Sequence, residues 1–370
     1  MDLQKVTRLL TFSYCLFRVK ADAVGRHRPL IILTPPFSSG IVPTPVFIKG
    51  DAMNYRGHEK CFACRERFCL PDIRVIDGAL EADLLMEKKH EGWIGIPHGG
   101  IGISAVLDLA DLCWLRHKGT NLPFPYTISL KFGDRCRLGD VLHLRAELDD
   151  GQSQVAFRMQ RPGQRQSYIA GTVEPNSEFE DGEIIDLPPL AEIERHATLT
   201  PLSIYDNCFI CGNHRSAPGM QRRFFQADFK ERHFILAKFG FDPRDVTIAK
   251  RFQQAEGVLH PGVIGAVLDE ICGWSGFIKH ELFGVTVRLQ LSFKRPVLVS
   301  EKLLFAAVEP EVRGRSNRQL YRARGFLVAV SDAGSYETVA MAAGQWLALP
   351  VLREQFYETR IEEDLSLISF

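Results

Sequence analysis

The sequence predicts an α+β protein built by tandem duplication, two copies of a unit in which an antiparallel sheet wraps a central helix. Three matches predict the duplication: "CFAC" begins at Cys61 and "CFIC" at Cys208, "HGG" at His98 and "HPG" at His260, and "AVLD" ends at Asp108 and again at Asp269. They recur in the same order, 147, 162 and 161 positions apart. A repeat of about 150 residues is a comfortable single-domain size.

Within each unit the elements follow one order. After the CxxC, mixed strand and loop lead to the His-Gly/Pro-Gly turn, which opens an apolar helix of roughly five turns. In the second unit "VTVRLQLSF" alternates strictly, placing Val285, Val287, Leu289, Leu291 and Phe293 on one face and Thr286, Arg288, Gln290 and Ser292 on the other. "KLLFAAVEPEV", "QLYRARGFLVAV" and "ETVAMAAGQWLAL" read as three further strands, divided by the turn-rich "RGRSN" and "SDAGS". "YTISLKF", "VLHLRAEL", "QVAFRMQ" and "SYIAGTV" are their counterparts in the first unit. The expected division is residues 53–175 for the first unit, an acidic, proline-containing linker at 176–199, and 200–370 for the second unit with a C-terminal extension. Residues 1–52 have no sustained period and are expected to be a poorly ordered tail. A signal peptide would end near "ADA" at Ala21, but Arg18 and Lys20 stand where one should be uncharged; Met53 is an alternative start.

Composition excludes several classes of partner. The 45 basic and 45 acidic residues cancel, so no electrostatic footprint for nucleic acid or an anionic membrane is expected. No apolar run approaches the ~20 residues that span a bilayer. Nine cysteines, an odd number in a long chain, suggest thiols in a reducing cytoplasm rather than a disulfide framework. The two CxxC pairs would suit tetrahedral zinc if they met, but 144 positions separate Cys64 from Cys208; inherited packing is expected instead, with no metal and no cofactor.

The candidate chemistry starts with Asp269. Its neighbours at helical spacing are all small: Gly265, Ala266, Cys272, Gly273 and Gly276. The alternative is a solvated acid on an amphipathic helix. A helix start offers unpaired N–H groups and the positive end of its dipole, able to hold a polarised carbonyl oxygen. Yet a carboxylate nine residues on lies ~13 Å away along the same helix. Only a second unit packed about a twofold axis could bring acid and donors together.

"HPGVIGAVLDE" and "HGGIGISAVLD" resemble the His-Gly-Gly, nine-residue step, Asp-Glu pattern of hotdog-fold acyl-CoA thioesterases of the PaaI and 4-hydroxybenzoyl-CoA thioesterase type. "CFICGNHRSAPGM" and "VTVRLQLSFKRPV" resemble the flanking segments of those proteins. The resemblance runs from Cys61 to Val173 and from Cys208 to Pro350, and is the more specific in the second unit. It implies a double hotdog, a covalent version of the family's dimer, acting on an acyl-CoA or acyl-carrier thioester, with CoA entering only as part of the substrate. A homodimer of double hotdogs is one further assembly it allows. It also implies that each site takes its oxyanion donor, the N–H after the His, from one unit, and its acid and a Ser/Thr hydroxyl from the other.

Carried over residue by residue, the pattern predicts one intact and one damaged site. Gly99, following His98, keeps its N–H and would face Asp269 and Thr286. Pro261, following His260, has none; with Gly262, it would face Asp108, whose ten-residue step from His98 rotates it by ~100° onto what reads as a solvated acidic face, with Thr127 as hydroxyl. The amide that the family often places six residues before the His is Gln254 in the damaged site and is replaced by Gly92 in the intact one. Both histidines are expected to orient their turns. Lys294, Arg295, Arg313, Arg315, Arg318, Arg322 and Arg324 are strand charges that could meet CoA phosphates or simply face solvent. Two other functions stay open: an enoyl-CoA hydratase or dehydratase on the same fold, and a non-catalytic acyl-CoA binding or regulatory protein.

Overall fold

A computed structural model describes residues 61–370 apart from 65–67, 71, 180–185, 214, 316–317 and 360–369. The tail expected at 1–52 and the start at Met53 lie outside the described residues. The first half runs β1 (Arg74–Ile76), β2 (Ala79–Leu85), β3 (Glu91–Trp93), β4 (Ile96–Pro97), α1 (Gly99–Lys118), β5 (Tyr126–Phe132), β6 (Val141–Leu148), β7 (Val155–Gln160) and β8 (Ser167–Pro175). α2 (Leu190–His196) and β9 (Thr198–Pro201) lead into β10 (Phe225–Phe229), β11 (Arg232–Phe239), α3 (Pro243–Ala249), β12 (Gln253–Ala255), β13 (Val258–Leu259) and α4 (Pro261–Ser275). The chain then forms β14 (Gly284–Phe293), β15 (Leu303–Val308), β16 (Glu311–Arg315), β17 (Arg318–Val330), β18 (Tyr336–Ala348) and α5 (Pro350–Thr359).

One continuous antiparallel sheet carries both halves in the order β1-β2-β6-β7-β8-β5-β14-β18-β17-β15-β11-β10-β9, with β16 beside β17. Read outward from the β5–β14 seam, the strand orders match, which is the pseudo-twofold of a double hotdog. The seam pairs Ile128 with Leu291 and Leu130 with Leu289, all four buried, so the halves share a core rather than merely touching. Each half wraps its sheet around its own helix. α1 is buried along nearly its whole length, from Gly100 to Leu115, as an enclosed helix must be. Gly119, in the left-handed region at φ 77°, ends it, and Arg116, His117 and Lys118 complement its C-terminal dipole.

The small residues near both helix starts serve the crossing of α1 and α4. A Cβ on Gly100 would lie 2.1 Å from Ala266 Cβ, and one on Gly262 would lie 2.5 Å from Ser104 Cα. Part of the stripe beside Asp269 therefore has a packing cause. The expected linker contains a helix: α2 places Leu190 and Ile193 with Phe229, Phe234 and Leu236 on the sheet face turned away from α4. At the other end Phe356 of α5 stacks on Trp93 and meets Trp274 and Phe283, tying the C-terminal helix to both halves.

Candidate active site

Asp269 sits mid-way along α4, 6% exposed, and meets the start of α1. A Cβ built on Gly99 would lie 3.0 Å from Asp269 Oδ2 and 3.7 Å from the Phe132 ring. The N–H donor end of one helix and the carboxylate of the other thus meet across the pseudo-twofold, the juxtaposition neither half could make alone. Thr286 Oγ1 donates to Asp269 Oδ1 at 2.7 Å.

A bulge puts Thr286 there. Strict alternation would turn Thr286 away from the helix, but the β14–β18 register shifts between Thr286 and Arg288. The extra residue inverts the phase, so Thr286 faces α4 while Val285 becomes 38% exposed. The same register sets Trp346 opposite Thr286, and its side chain helps to favour the ionised Asp269 carboxylate. Burial pushes the Asp269 carboxyl up to about 6, against the opposing pull of the Thr286 hydroxyl.

His98 caps α1: Nδ1 accepts the Gly100 N–H at 2.9 Å, while Nε2 lies 2.9 Å from Glu270 Oε2. Burial disfavours a second proton on the ring, whereas Glu270 and the Cys208 sulfur favour one and together draw its pKa up to about 9, a pull toward the charged ring that the hydrogen bonding opposes. The Gly100 N–H decides between them, because it needs the Nδ1 lone pair that an imidazolium lacks. The ring is therefore neutral, with its proton on Nε2 pointing at Glu270. Cys208 Sγ donates to the same Glu270 oxygen at 3.4 Å.

The other half corrects several expectations. Asp108 is 1% exposed rather than on a solvated face, and its counterpart is Glu270, not Asp269: each stands ten residues after one His and beside the other. The nine-residue position after His98 is Leu107, also buried, so no acid occupies the place equivalent to Asp269. The Thr127 hydroxyl bonds Ser292 at 2.9 Å and Ser177 at 3.0 Å rather than the carboxylate expected of it. Gln254 reaches instead to Asp111, 3.1 Å away, which also accepts from Asn121 and the Leu122 N–H and is 2% exposed. Gly262 donates its N–H to His260 Nδ1 at 3.0 Å, the counterpart of Gly100 and His98. Gly92 packs against His98, where a Cβ would lie 2.6 Å from its Cα, which leaves no room for the amide the family often has there.

Of the basic strand residues, Arg295 is paired with Glu301 and Glu337, Lys294 with Glu337 and Arg313 with Glu311. Arg322 and Arg324 line an open groove with Arg288 and Gln345 on the outer face of the sheet. The side chains of Arg315 and Arg318 lie outside the described residues. Trp346, Phe132 and Glu270 are site residues that sequence reasoning missed; the Asp-Glu pair was the one available signal, for Glu270.

The sequence matches no family model and no curated protein. Among solved structures it is similar to the dehydratase domain of PpsC from Mycobacterium tuberculosis in complex with C12:1-CoA, at 12% identity over 76% of this chain and 99% of that one, with a TM-score of 0.46. It is similar to a putative thioesterase II from Thermobifida fusca YX, at 13% identity over 75% and 95%, TM-score 0.46. The dehydratase domain from the CurF module of curacin polyketide synthase is a third, at 11% over 76% and 99%, TM-score 0.48.

Proposed function

We propose that the chain is an acyl-CoA thioesterase of the PaaI and 4-hydroxybenzoyl-CoA type with one working site, built from Gly99, Asp269 and Thr286. The observation that carries this reading is the meeting of Asp269 Oδ2 with Gly99 across the two halves. The thioester carbonyl oxygen accepts the Gly99 N–H at the positive end of α1, and the oxyanion formed on attack is stabilised by ~3 kcal/mol per such donor. Asp269 takes a proton from the attacking water, or attacks the carbonyl itself to give an anhydride that water then opens. His98 orients the turn by its bond to Gly100. The opposite site has Pro261 without an N–H and Leu107 in place of the acid, and is inactive.

Dehydration needs a His nitrogen free to move a proton at carbon. Both ring nitrogens of His98, the histidine preceding Gly99 at the Asp269 site, are engaged, which favours hydrolysis there; His260, whose Nε2 is unpartnered, stands beside Asp108 in the opposite cluster. The eight described cysteines are free thiols, in keeping with a cytoplasmic setting.

CoA release from a panel of acyl-CoAs, beside hydration of an enoyl-CoA and a CoA-ester affinity measurement, tests the proposal. Turnover in the first supports it; turnover only in the second, or binding with none, overturns it. Because the base works ionised, kcat/KM is expected to fall as pH drops through about 6. Thr286→Val removes a hydrogen bond that favours the carboxylate, so the acidic limb should move to higher pH, by roughly one unit. An unmoved limb would mean that Asp269 is not the group being titrated.

A further inference from the structure

The hotdog chemistry leaves the two CxxC motifs unused. They do not meet each other; each crosses to the opposite half. Phe62 N–H bonds Gln253 O of the β12–β13 hairpin and Phe209 N–H bonds Glu91 O of the β3–β4 hairpin, both within 2.9 Å. This brings each CxxC to its own helix's acid and the other helix's His: Cys61, Cys64, Asp108 and His260 in one cluster, Cys208, Cys211, Glu270 and His98 in the other.

The clusters differ in how far they are satisfied. At Glu270 the His98 Nε2 proton has its acceptor at 2.9 Å. In the Asp108 cluster both thiols converge on the carboxylate, Cys61 Sγ 3.4 Å from Oδ1 and Cys64 Sγ 2.7 Å from Oδ2. His260, fully buried, directs Nε2 into the cluster but stands 3.5 Å from Asp108 Oδ1, without a hydrogen-bond partner. Donor atoms from Cys61, Asp108 and His260 lie within 4.8 Å of one another, as do those of His98, Cys208 and Glu270, so the unpartnered His260 Nε2 and the two thiols on one carboxylate are what set the first cluster apart. Two thiols and a carboxylate gathered out of water are the donor set of a soft divalent cation.

We propose that Cys61, Cys64 and Asp108 form a zinc site, with His260 completing its surroundings. Two thiolates and the two carboxylate oxygens supply four donors, and the thiol protons leave to solvent on binding. His260 Nδ1 accepts the Gly262 N–H, so Nε2 keeps its proton and donates it to the Cys61 thiolate. The ion thereby gives the unpartnered N–H an acceptor and ties the CxxC loop to α1 and to the start of α4. The spacing between the two CxxC pairs is no obstacle, because the remaining donors come from the helix.

The test is metal analysis of the full chain, purified under reducing conditions and loaded with zinc, then exchanged into cobalt(II). About one zinc per chain is expected, and a near-ultraviolet thiolate-to-cobalt band. Cys64→Ser should lose both at least tenfold, while Cys211→Ser, in the satisfied cluster, keeps them. Circular dichroism confirms that each variant is folded, and chelator competition on the unaltered chain gives a readout independent of any variant. No zinc above trace, cobalt without the thiolate band, or equal loss from Cys211→Ser would overturn the assignment, whatever the outcome of the hydrolysis assays.

Discussion

Replacing Asp269 by Asn is expected to lower kcat of thioester hydrolysis by about 10² to 10⁴, the usual range for a positioned acid–base group. The same substitution should not weaken the fold. Its folded pKa of about 6 lies above the ordinary value of 3.8, so at pH 8 the buried carboxylate is ionised at a cost to the folded state, which falls away as pH drops through 6. The Asn variant pays none of this, and should melt no earlier than the parent at pH 8. Asp108→Asn is the internal comparison. With Leu107, not Asp108, in the place equivalent to Asp269, turnover should stay within about tenfold of the parent. Comparable losses in both variants, measured as CoA release under saturating substrate, would sink the single-site reading.

The duplication and the helix-and-sheet order of each half were legible because they depend on local pattern: repeated motifs, apolar periodicity and turn residues. The approach of Gly99 to Asp269 was legible for a different reason. One helix cannot bring its own start to its own middle, so the acid required a second copy. Three features were hidden. The ~100° rotation of Asp108 was readable from its ten-residue step, but not that it turns the acid inward beside His260, where it answers to Glu270. The bulge at Thr286 depends on which strand lies beside β14, and no residue in "VTVRLQLSF" signals it; Trp346 entered the site through the same register. The crossing of the CxxC loops is a contact between halves, invisible to spacing along the chain. What escaped is non-local in each case, set by packing partners rather than by residues within one element.

Gly100→Ala is expected to be strongly destabilising. In most helices that change stabilises, since Ala is the better helix former by about 1 kcal/mol. Here the new Cβ would lie 2.1 Å from Ala266 Cβ and 2.7 Å from Ala266 Cα. Its neighbour is a helix backbone, so no side-chain rotation relieves the contact; α1 and α4 must separate. Overpacking in a closed core costs about 3 kcal/mol at the upper end of the common range, enough to lower Tm by roughly 4 °C in a chain of this size. Ala266→Gly in the same molecule removes the 2.1 Å contact but not the 2.7 Å one, so it should restore part of the loss. The same displacement moves Gly99, next in the chain, away from Asp269. Hydrolysis should therefore fall in Gly100→Ala even at temperatures where the protein is fully folded, and recover partially in the double variant. A Tm within 2 °C of the parent would show that the helices are not in contact at this point, and with it the meeting of donor and acid would lose its structural basis.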